Sequence, residues 1–367
     1  MAEITPFRIA VPDTDLDDLA DRLRRTRWPE PECVDDWSQG IPLAYTRELA
    51  DYWAKDYDWR ATEAELNGFD QFVTELDGLP IHFLHVRSGR ADAFPLLITH
   101  GWPGSVLEFH KVIRPLADAG YDVVCPSLPG YGFSGKPSAT GWGVVRIALA
   151  WNELMTRLGY ERYGAQGGDW GGAVTTQIGR HQGGCVAIHL NMPTAGPPRN
   201  LADPTPEEAV ALQRRDEHRR WGTGYSGQQS TRPQTLGYGL ADSPVGQMAW
   251  IVEKFWAWTD SGGHPENVLT RDEMLGNVML YWLTNSAASS ARLYWESFGS
   301  FRDGAPVTLP TGIAAFPKEI VPPRRTWCEP HYNITRWTDM PRGGHFAAFE
   351  QPELFVEDVS AFFAEFR

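Results

Sequence analysis

One carboxylate in this chain lies among glycines. Residues 166–172 read QGGDWGG, with Asp169 at the centre. Small residues on both sides are typical of a nucleophile on a sharp turn between a strand and a helix, a position usually held by serine. Aspartate is already ionised at neutral pH and attacks carbon without the help of a base. The alternative is a glycine-rich turn in which Asp169 only caps the helix that follows.

A second motif predicts a binding site for negative charge. The segment 99–105, THGWPGS, follows an apolar run that is typical of a strand. In hydrolases with a nucleophile on such a turn, the loop after this strand donates one backbone N–H to an oxyanion hole, and the residue after the nucleophile donates the other. The expected donors are Trp102 and Trp170.

A third motif supplies a base. His345 lies in the segment RGGHFAAFEQPE, in a loop just before the last helix. A histidine base needs a carboxylate to orient it. Glu319, at the end of AAFPKE, is favoured because it comes just after a predicted strand and keeps the chain order nucleophile, acid, histidine. Asp339 and Glu329 remain alternatives.

The segments that must position these residues belong to an α/β fold. From about residue 70, short apolar runs that end in Gly or Pro alternate with helical stretches, which predicts a mostly parallel sheet covered by helices. The alternation stops near residue 195 and resumes near 311. The intervening segment is mainly helical and is interpreted as an inserted cap.

The first 75 residues are predicted to form a helical segment of their own. One helix is expected over residues 13–28, capped by Asp13 or Thr14, and a second over about 42–56. The resulting division is an N-terminal segment, a first part of the core, a cap and a second part of the core. These are residues 1–75, 76–195, 196–305 and 306–367.

Composition narrows the function classes. The formal net charge is −14, which disfavours nucleic acid and anionic lipid as partners. The four Cys form no CxxC pair, so neither a metal site nor a disulfide framework is expected. The N-terminus lacks the pattern of a signal peptide, and no long apolar run predicts a membrane span. These features predict a cytoplasmic protein.

Together the motifs resemble the epoxide hydrolases of the α/β-hydrolase fold, in their microsomal-type branch. The similar segments are HGWPGS, GGDWGG, FPKE and GGHFAAFEQPE, with DSPVGQMAWIVEKFWAWTD and NVMLYWLTNSAASSARLYWESFG in the cap. The resemblance covers nearly the whole chain, and its N-terminal segment is expected to wrap the core. The membrane anchor of the microsomal enzymes is missing, so a soluble form is expected.

The resemblance implies a two-step reaction without a cofactor or a metal. Asp169 would open the epoxide and form an alkyl ester, which water activated by His345 and Glu319 would hydrolyse to a vicinal diol. The partners would be a small epoxide and water, with a homodimer as a possibility.

The resemblance also points to two cap tyrosines, Tyr225 and Tyr294, as proton donors to the epoxide oxygen. A phenol stays protonated at neutral pH and suits that role. The alternative for Tyr294 is a packed helix aromatic. Tyr238, Tyr281 and Tyr332 are interpreted as structural residues.

Two other functions fit parts of the pattern. Haloalkane dehalogenases also use an Asp followed by Trp on this fold, and a catalytically silent hydrolase fold could serve as a binding protein. The paired tyrosines and the GGHFAAFEQPE ending favour the epoxide, and the complete catalytic set disfavours a silent protein. The sequence leaves open which epoxide is used and with what stereochemistry.

Overall fold

A nine-stranded sheet lies at the centre of the computed structural model, which describes residues 3–198, 200–299 and 304–367. The strand order is β1-β2-β3-β5-β4-β6-β7-β8-β9. The three pairings at one end of the sheet, β1 with β2, β2 with β3 and β3 with β5, are antiparallel, and the other five pairings are parallel. The predicted mostly parallel sheet is therefore confirmed. The strands are β1 (Thr5–Phe7), β2 (Gln71–Leu76), β3 (Leu79–Val86), β4 (Phe94–Thr99), β5 (Tyr121–Pro126), β6 (Tyr163–Gly167), β7 (Cys185–Leu190), β8 (Val307–Ala315) and β9 (Tyr332–Asp339).

Helices of the described residues surround this sheet and fill the interval between β7 and β8. They are α1 (Asp13–Arg24), α2 (Leu43–Lys55), α3 (Trp59–Leu66), α4 (His110–Asp118), α5 (Val144–Arg157), α6 (Asp169–His181), α7 (Pro206–Glu217), α8 (Gly224–Thr231), α9 (Pro233–Asp242), α10 (Pro244–Trp258), α11 (Arg271–Leu283), α12 (Ala287–Ser297), α13 (Arg325–Cys328), α14 (Ala347–Glu350) and α15 (Pro352–Phe363). Helices α7 to α12 form the cap that the sequence predicts. The four domain ranges stay a prediction.

The N-terminal segment is less purely helical than expected. Strands β1 and β2 extend the sheet at its antiparallel end, because β2 pairs with β3 along its whole length. Helix α1 begins after Pro12, which lies at the N-cap in extended conformation, so neither Asp13 nor Thr14 caps it. The segment also contacts the cap, since Trp37 stacks on Trp256 with the ring centroids 5.0 Å apart.

Helix α6 lies unusually close to the sheet. Its residues from Trp170 to Gly179 are all buried. A Cβ atom at Gly171 would collide with the carbonyl oxygen of Thr99 at the end of β4, and one at Gly167 would collide with the backbone of Gly171. Only glycine therefore lets the start of α6 approach the carboxyl ends of the central strands, where ligands bind in open α/β sheets.

In the described ranges, no helix is both long enough and apolar enough to cross a bilayer. The cytoplasmic location and the homodimer remain predictions. The four Cys are free thiols: Cys33 is exposed, and Cys125, Cys185 and Cys328 are buried.

Candidate active site

Asp169 lies on the predicted turn, between the end of β6 and the first turn of α6. Its φ angle is +50°, a left-handed conformation that is uncommon outside glycine and concentrates at functional sites. The turn directs the carboxylate towards the loop after β4, where Gly101 comes so close that a Cβ atom there would collide with the side chain of Asp169. Two glycine-containing motifs that are remote in the sequence therefore meet at one carboxylate.

The two oxygens of Asp169 face different groups. The backbone N–H of Trp102 donates a hydrogen bond of 2.8 Å to Oδ1. The other oxygen, Oδ2, lies 3.5 Å from Nε2 of His345. The second expected donor, the backbone N–H of Trp170, belongs to the first turn of α6, next to Asp169 in the chain.

His345 and Glu319 form a buried pair beside Asp169. Nδ1 of His345 is 2.7 Å from Oε1 of Glu319, and both residues are almost wholly buried. Burial lowers the pKa of His345, but the negative charges of Glu319 and Asp169 outweigh it and hold this pKa well above its usual range. The protonated form of the imidazole is therefore favoured beside these two carboxylates.

The rival carboxylates lie elsewhere. Asp339 is exposed and accepts a hydrogen bond from the indole of Trp337. Glu329 is exposed and forms an ion pair with Arg325. The carboxylate next to His345 is therefore that of Glu319.

The loop that carries His345 is tied to the cap. Its backbone N–H donates to the carbonyl oxygen of Trp258, at the end of α10, over 2.8 Å. The carboxylate of Glu350 accepts hydrogen bonds from the N–H groups of Gly344 and Asp260, each 2.9 Å long. Our sequence analysis missed Glu350, although it is the one acidic residue in the apolar run after His345, HFAAFE. Burial raises its pKa to about 7.

Tyr225 and Tyr294 lie over the same site. The ring of Tyr225 stacks on that of Trp102 at 5.1 Å and meets that of Tyr294 edge-on at 5.8 Å. Tyr294 also contacts the ring of Trp170 at 4.8 Å. Burial, followed by the charge of Asp169 for Tyr225, raises the pKa of each phenol, so both stay protonated at neutral pH.

The structural role expected for the other three tyrosines stays a prediction. Tyr281 donates to the carbonyl oxygen of Gly104, and the hydroxyl of Tyr332 is bonded to Thr176 and Thr194. Tyr238 is 71% exposed on the cap.

Glu108 is a second acidic residue that our sequence analysis missed. It follows Val106 and Leu107 on the loop after Trp102, and its carboxylate has no hydrogen-bond partner among the described residues. Burial raises its pKa to about 8, with the charge of His345 opposing and that of Asp169 adding to the shift. A lone acid within an apolar helical turn was the available signal.

In the parts of the chain that the structure describes, no group of His, Cys, Asp and Glu could hold a metal ion.

Comparison with known proteins agrees with this geometry. The family described as "Epoxide hydrolase N terminus" matches residues 4–109, and the family described as "alpha/beta hydrolase fold" matches residues 95–235. A protein of Stigmatella aurantiaca described as a putative epoxide hydrolase is 52% identical over 99% of this chain and 86% of its own length.

Two solved structures are also similar over nearly the whole chain. Epoxide hydrolase from Aspergillus niger has a TM-score of 0.92 and 34% identity, covering 99% of this chain and 96% of that one. Juvenile hormone epoxide hydrolase from Bombyx mori has a TM-score of 0.93 and 32% identity, covering 100% and 95%. With an N-terminal segment, an α/β core and a cap all shared, this chain belongs to the epoxide hydrolases of the α/β-hydrolase fold.

Proposed function

We propose that this epoxide hydrolase forms a vicinal diol through an alkyl ester on Asp169. The observation that carries the proposal is that the two oxygens of this carboxylate face different groups. Oδ1 is held by the backbone N–H of Trp102, and Oδ2 is left towards His345, beneath the cap tyrosines. An oxygen already held by a hydrogen-bond donor is suited to become the ester carbonyl, and the other oxygen is suited to attack.

In the first step, Oδ2 attacks an epoxide carbon. The new carbon–oxygen bond forms as the ring bond breaks, and the departing oxygen receives the electron pair. Tyr225 and Tyr294 donate hydrogen bonds and a proton to that oxygen, since burial keeps both phenols protonated.

In the second step, water attacks the ester carbonyl. The ester no longer carries the charge of Asp169, so one of the two carboxylates that raise the pKa of His345 is lost. The pKa of His345 then falls, so the imidazolium returns its proton to the phenolate left by ring opening. The neutral imidazole, still oriented by Glu319, can then accept a proton from water. Negative charge develops on Oδ1, where the backbone N–H groups of Trp102 and Trp170 stabilise it. The Cγ–Oδ2 bond then breaks, Oδ2 leaves as a hydroxyl of the diol with the second proton of the water, and Asp169 returns as a carboxylate beside the imidazolium of His345.

This scheme explains why serine would not serve at position 169. Serine would form an ether with the epoxide carbon, and an ether has no carbonyl for water to attack. The ester of Asp169 supplies that carbonyl from the enzyme itself.

The competing dehalogenase function predicts another product. Two buried phenols placed over the nucleophile suit an oxygen leaving group that needs a proton, which a halide does not. Styrene oxide and haloalkanes can therefore be offered separately. Diol from styrene oxide supports the proposal, and halide release without any diol would contradict it.

Replacing Tyr225 or Tyr294 with phenylalanine should slow ring opening more than ester hydrolysis. Loss of a proton donor reduces a rate by about 10²-fold or more, and each phenol contributes to one donor pair. Stopped-flow tryptophan fluorescence can separate the two steps. Tyr238→Phe, on the exposed side of the cap, is the matched control and should leave both rates unchanged. Equal losses in both steps would mean that the two tyrosines act only through packing.

Replacing Glu319 with glutamine should lower turnover by about 10²-fold or more, because removing the orienting acid of a triad impairs the base. The amide would donate to Nδ1 of His345 and so leave the proton on Nε2, where a base is needed. Asp339→Asn is the matched control and should retain wild-type kcat, since Asp339 is exposed. The opposite ranking of the two variants would assign the orienting role to Asp339.

A further inference from the structure

A cleft of about 490 Å³ lies between the cap and the core. Its walls come from the cap helices α9 and α12 and from the core loop that precedes α5. None of Asp169, His345, Tyr225 and Tyr294 lines it. Arg292, which does, is two residues before Tyr294 on α12, and a helix turns by about 200° over two residues. The cleft therefore lies on the opposite side of α12 from the proposed active site.

Arg292 is the unusual member of this cleft. Within the described residues its guanidinium has neither a hydrogen bond nor an ion pair, and its Nε atom is buried without a partner. A buried N–H group that lacks an acceptor raises the free energy of the folded protein. A guanidinium carries five N–H donors in a planar fork. The side chain is therefore equipped for an acceptor that the protein itself does not supply.

Two other cations line this cleft or the one that adjoins it. Arg232 lines the same cleft, and an adjoining cleft of about 450 Å³ shares Arg292 and adds Lys136. Burial lowers the pKa of Lys136, and the positive charge of Arg292 lowers it further. Positive charge is thus concentrated here on a chain whose net charge is −14.

The acidic residues that line these clefts already have partners other than Arg292. Glu296 accepts a hydrogen bond from the backbone N–H of Gly141 over 2.9 Å. Asp242 forms an ion pair with Arg22 of the N-terminal segment. Neither carboxylate is bonded to Arg292, so the charge of the arginine is left for a ligand.

Part of the remaining wall is apolar, beside hydroxyl and amide side chains such as those of Thr140 and Gln234. The apolar part includes Pro129, Trp142, Leu293 and Trp295, of which Trp295 is 52% exposed. Inorganic anions would gain nothing from such a surface, whereas an organic acid could bury its hydrocarbon part there. We propose that this cleft binds an amphiphilic carboxylate, with the carboxylate on Arg292 and the apolar stem on Trp295 and Leu293, at a site separate from Asp169. Arginine and carboxylate match as a planar bidentate pair.

The probe for this site is octanoate, with octan-1-ol as the uncharged ligand of the same stem. Titration calorimetry should detect saturable binding of one octanoate per chain and much weaker binding of the alcohol. Arg292→Leu should raise the Kd of octanoate by about 10- to 100-fold, the loss expected for charge-assisted hydrogen bonds. Arg27→Leu, which removes an exposed arginine outside both clefts, should leave the Kd unchanged.

Three results would overturn the proposal. The first is an unchanged Kd of octanoate in Arg292→Leu, and the second is equal binding of octanoate and octan-1-ol. The third is purely competitive inhibition of styrene oxide hydrolysis by octanoate that is the same in the wild type and in Arg292→Leu, because this would place octanoate at Asp169. If Arg292→Leu does not fold, Arg292→Lys replaces it, because lysine keeps the positive charge but lacks the planar pair of N–H donors. Weaker binding of octanoate to Arg292→Lys supports the site, and unchanged binding overturns it. None of these outcomes depends on the ester mechanism.

Discussion

Replacing Asp169 with alanine should abolish diol formation, with any residual rate at least about 10⁴-fold below that of the wild type, as for the loss of a nucleophile in other hydrolases. No other described carboxylate lies between the Trp102 N–H and His345. Diol production from styrene oxide measures the effect. Asp118→Ala, at the exposed end of α4, is the matched control and should retain full activity. Circular dichroism should show that both variants are folded.

A single turnover in ¹⁸O-labelled water tests the same step in the intact enzyme. In the proposed scheme, Oδ2 of Asp169 leaves with the diol and a solvent oxygen takes its place. The peptide that contains Asp169 should therefore gain one labelled oxygen. Diol that accumulates while this peptide stays unlabelled would show that water attacks the epoxide directly, and the ester would be excluded.

Replacing His345 with glutamine should stall the enzyme after ring opening. The loss of a general base reduces a rate by about 10²–10⁴-fold, and here it falls on ester hydrolysis because a carboxylate nucleophile attacks without a base. Mass spectrometry should then find the mass of the substrate added to the peptide that contains Asp169. The double variant Asp169→Ala/His345→Gln is the control and should form no adduct. An unmodified His345→Gln protein with full turnover would contradict the role of the base.

Local chemistry explains why most of the candidate site can be predicted. The glycines around Asp169 and the Gly-Trp-Pro of the Trp102 loop are required by turns within a few residues of the chemistry. His345 likewise lies in its own glycine-containing loop. The alternation of apolar runs and helices predicted the parallel sheet, which brings the carboxyl ends of the central strands together.

Which of Glu319 and Asp339 lies next to His345 cannot be predicted from a local pattern of residues. Glu319 follows β8, Asp339 is the last residue of β9, and both precede His345, so both satisfy the order of a triad along the chain. The backbone bond between Lys318 and Gly343 brings the end of β8 against the His345 loop, while β9 is the edge strand and leaves Asp339 exposed. Only the packing of these elements distinguishes the two acids.

The sequence by itself determined the fold class, the glycine-rich turn of Asp169, the glycine-containing loop of His345 and the presence of a cap, because each depends on residue types in a short stretch or on the order of elements along the chain. Tertiary structure alone decided the pairing of β1 and β2 with the sheet, the raised pKa of Glu108, the hydrogen bonds between Glu350 and the His345 loop, and the unpartnered charge of Arg292. The physical reason is that burial, charge compensation and hydrogen-bond satisfaction arise between segments far apart in the chain, and no local pattern records them.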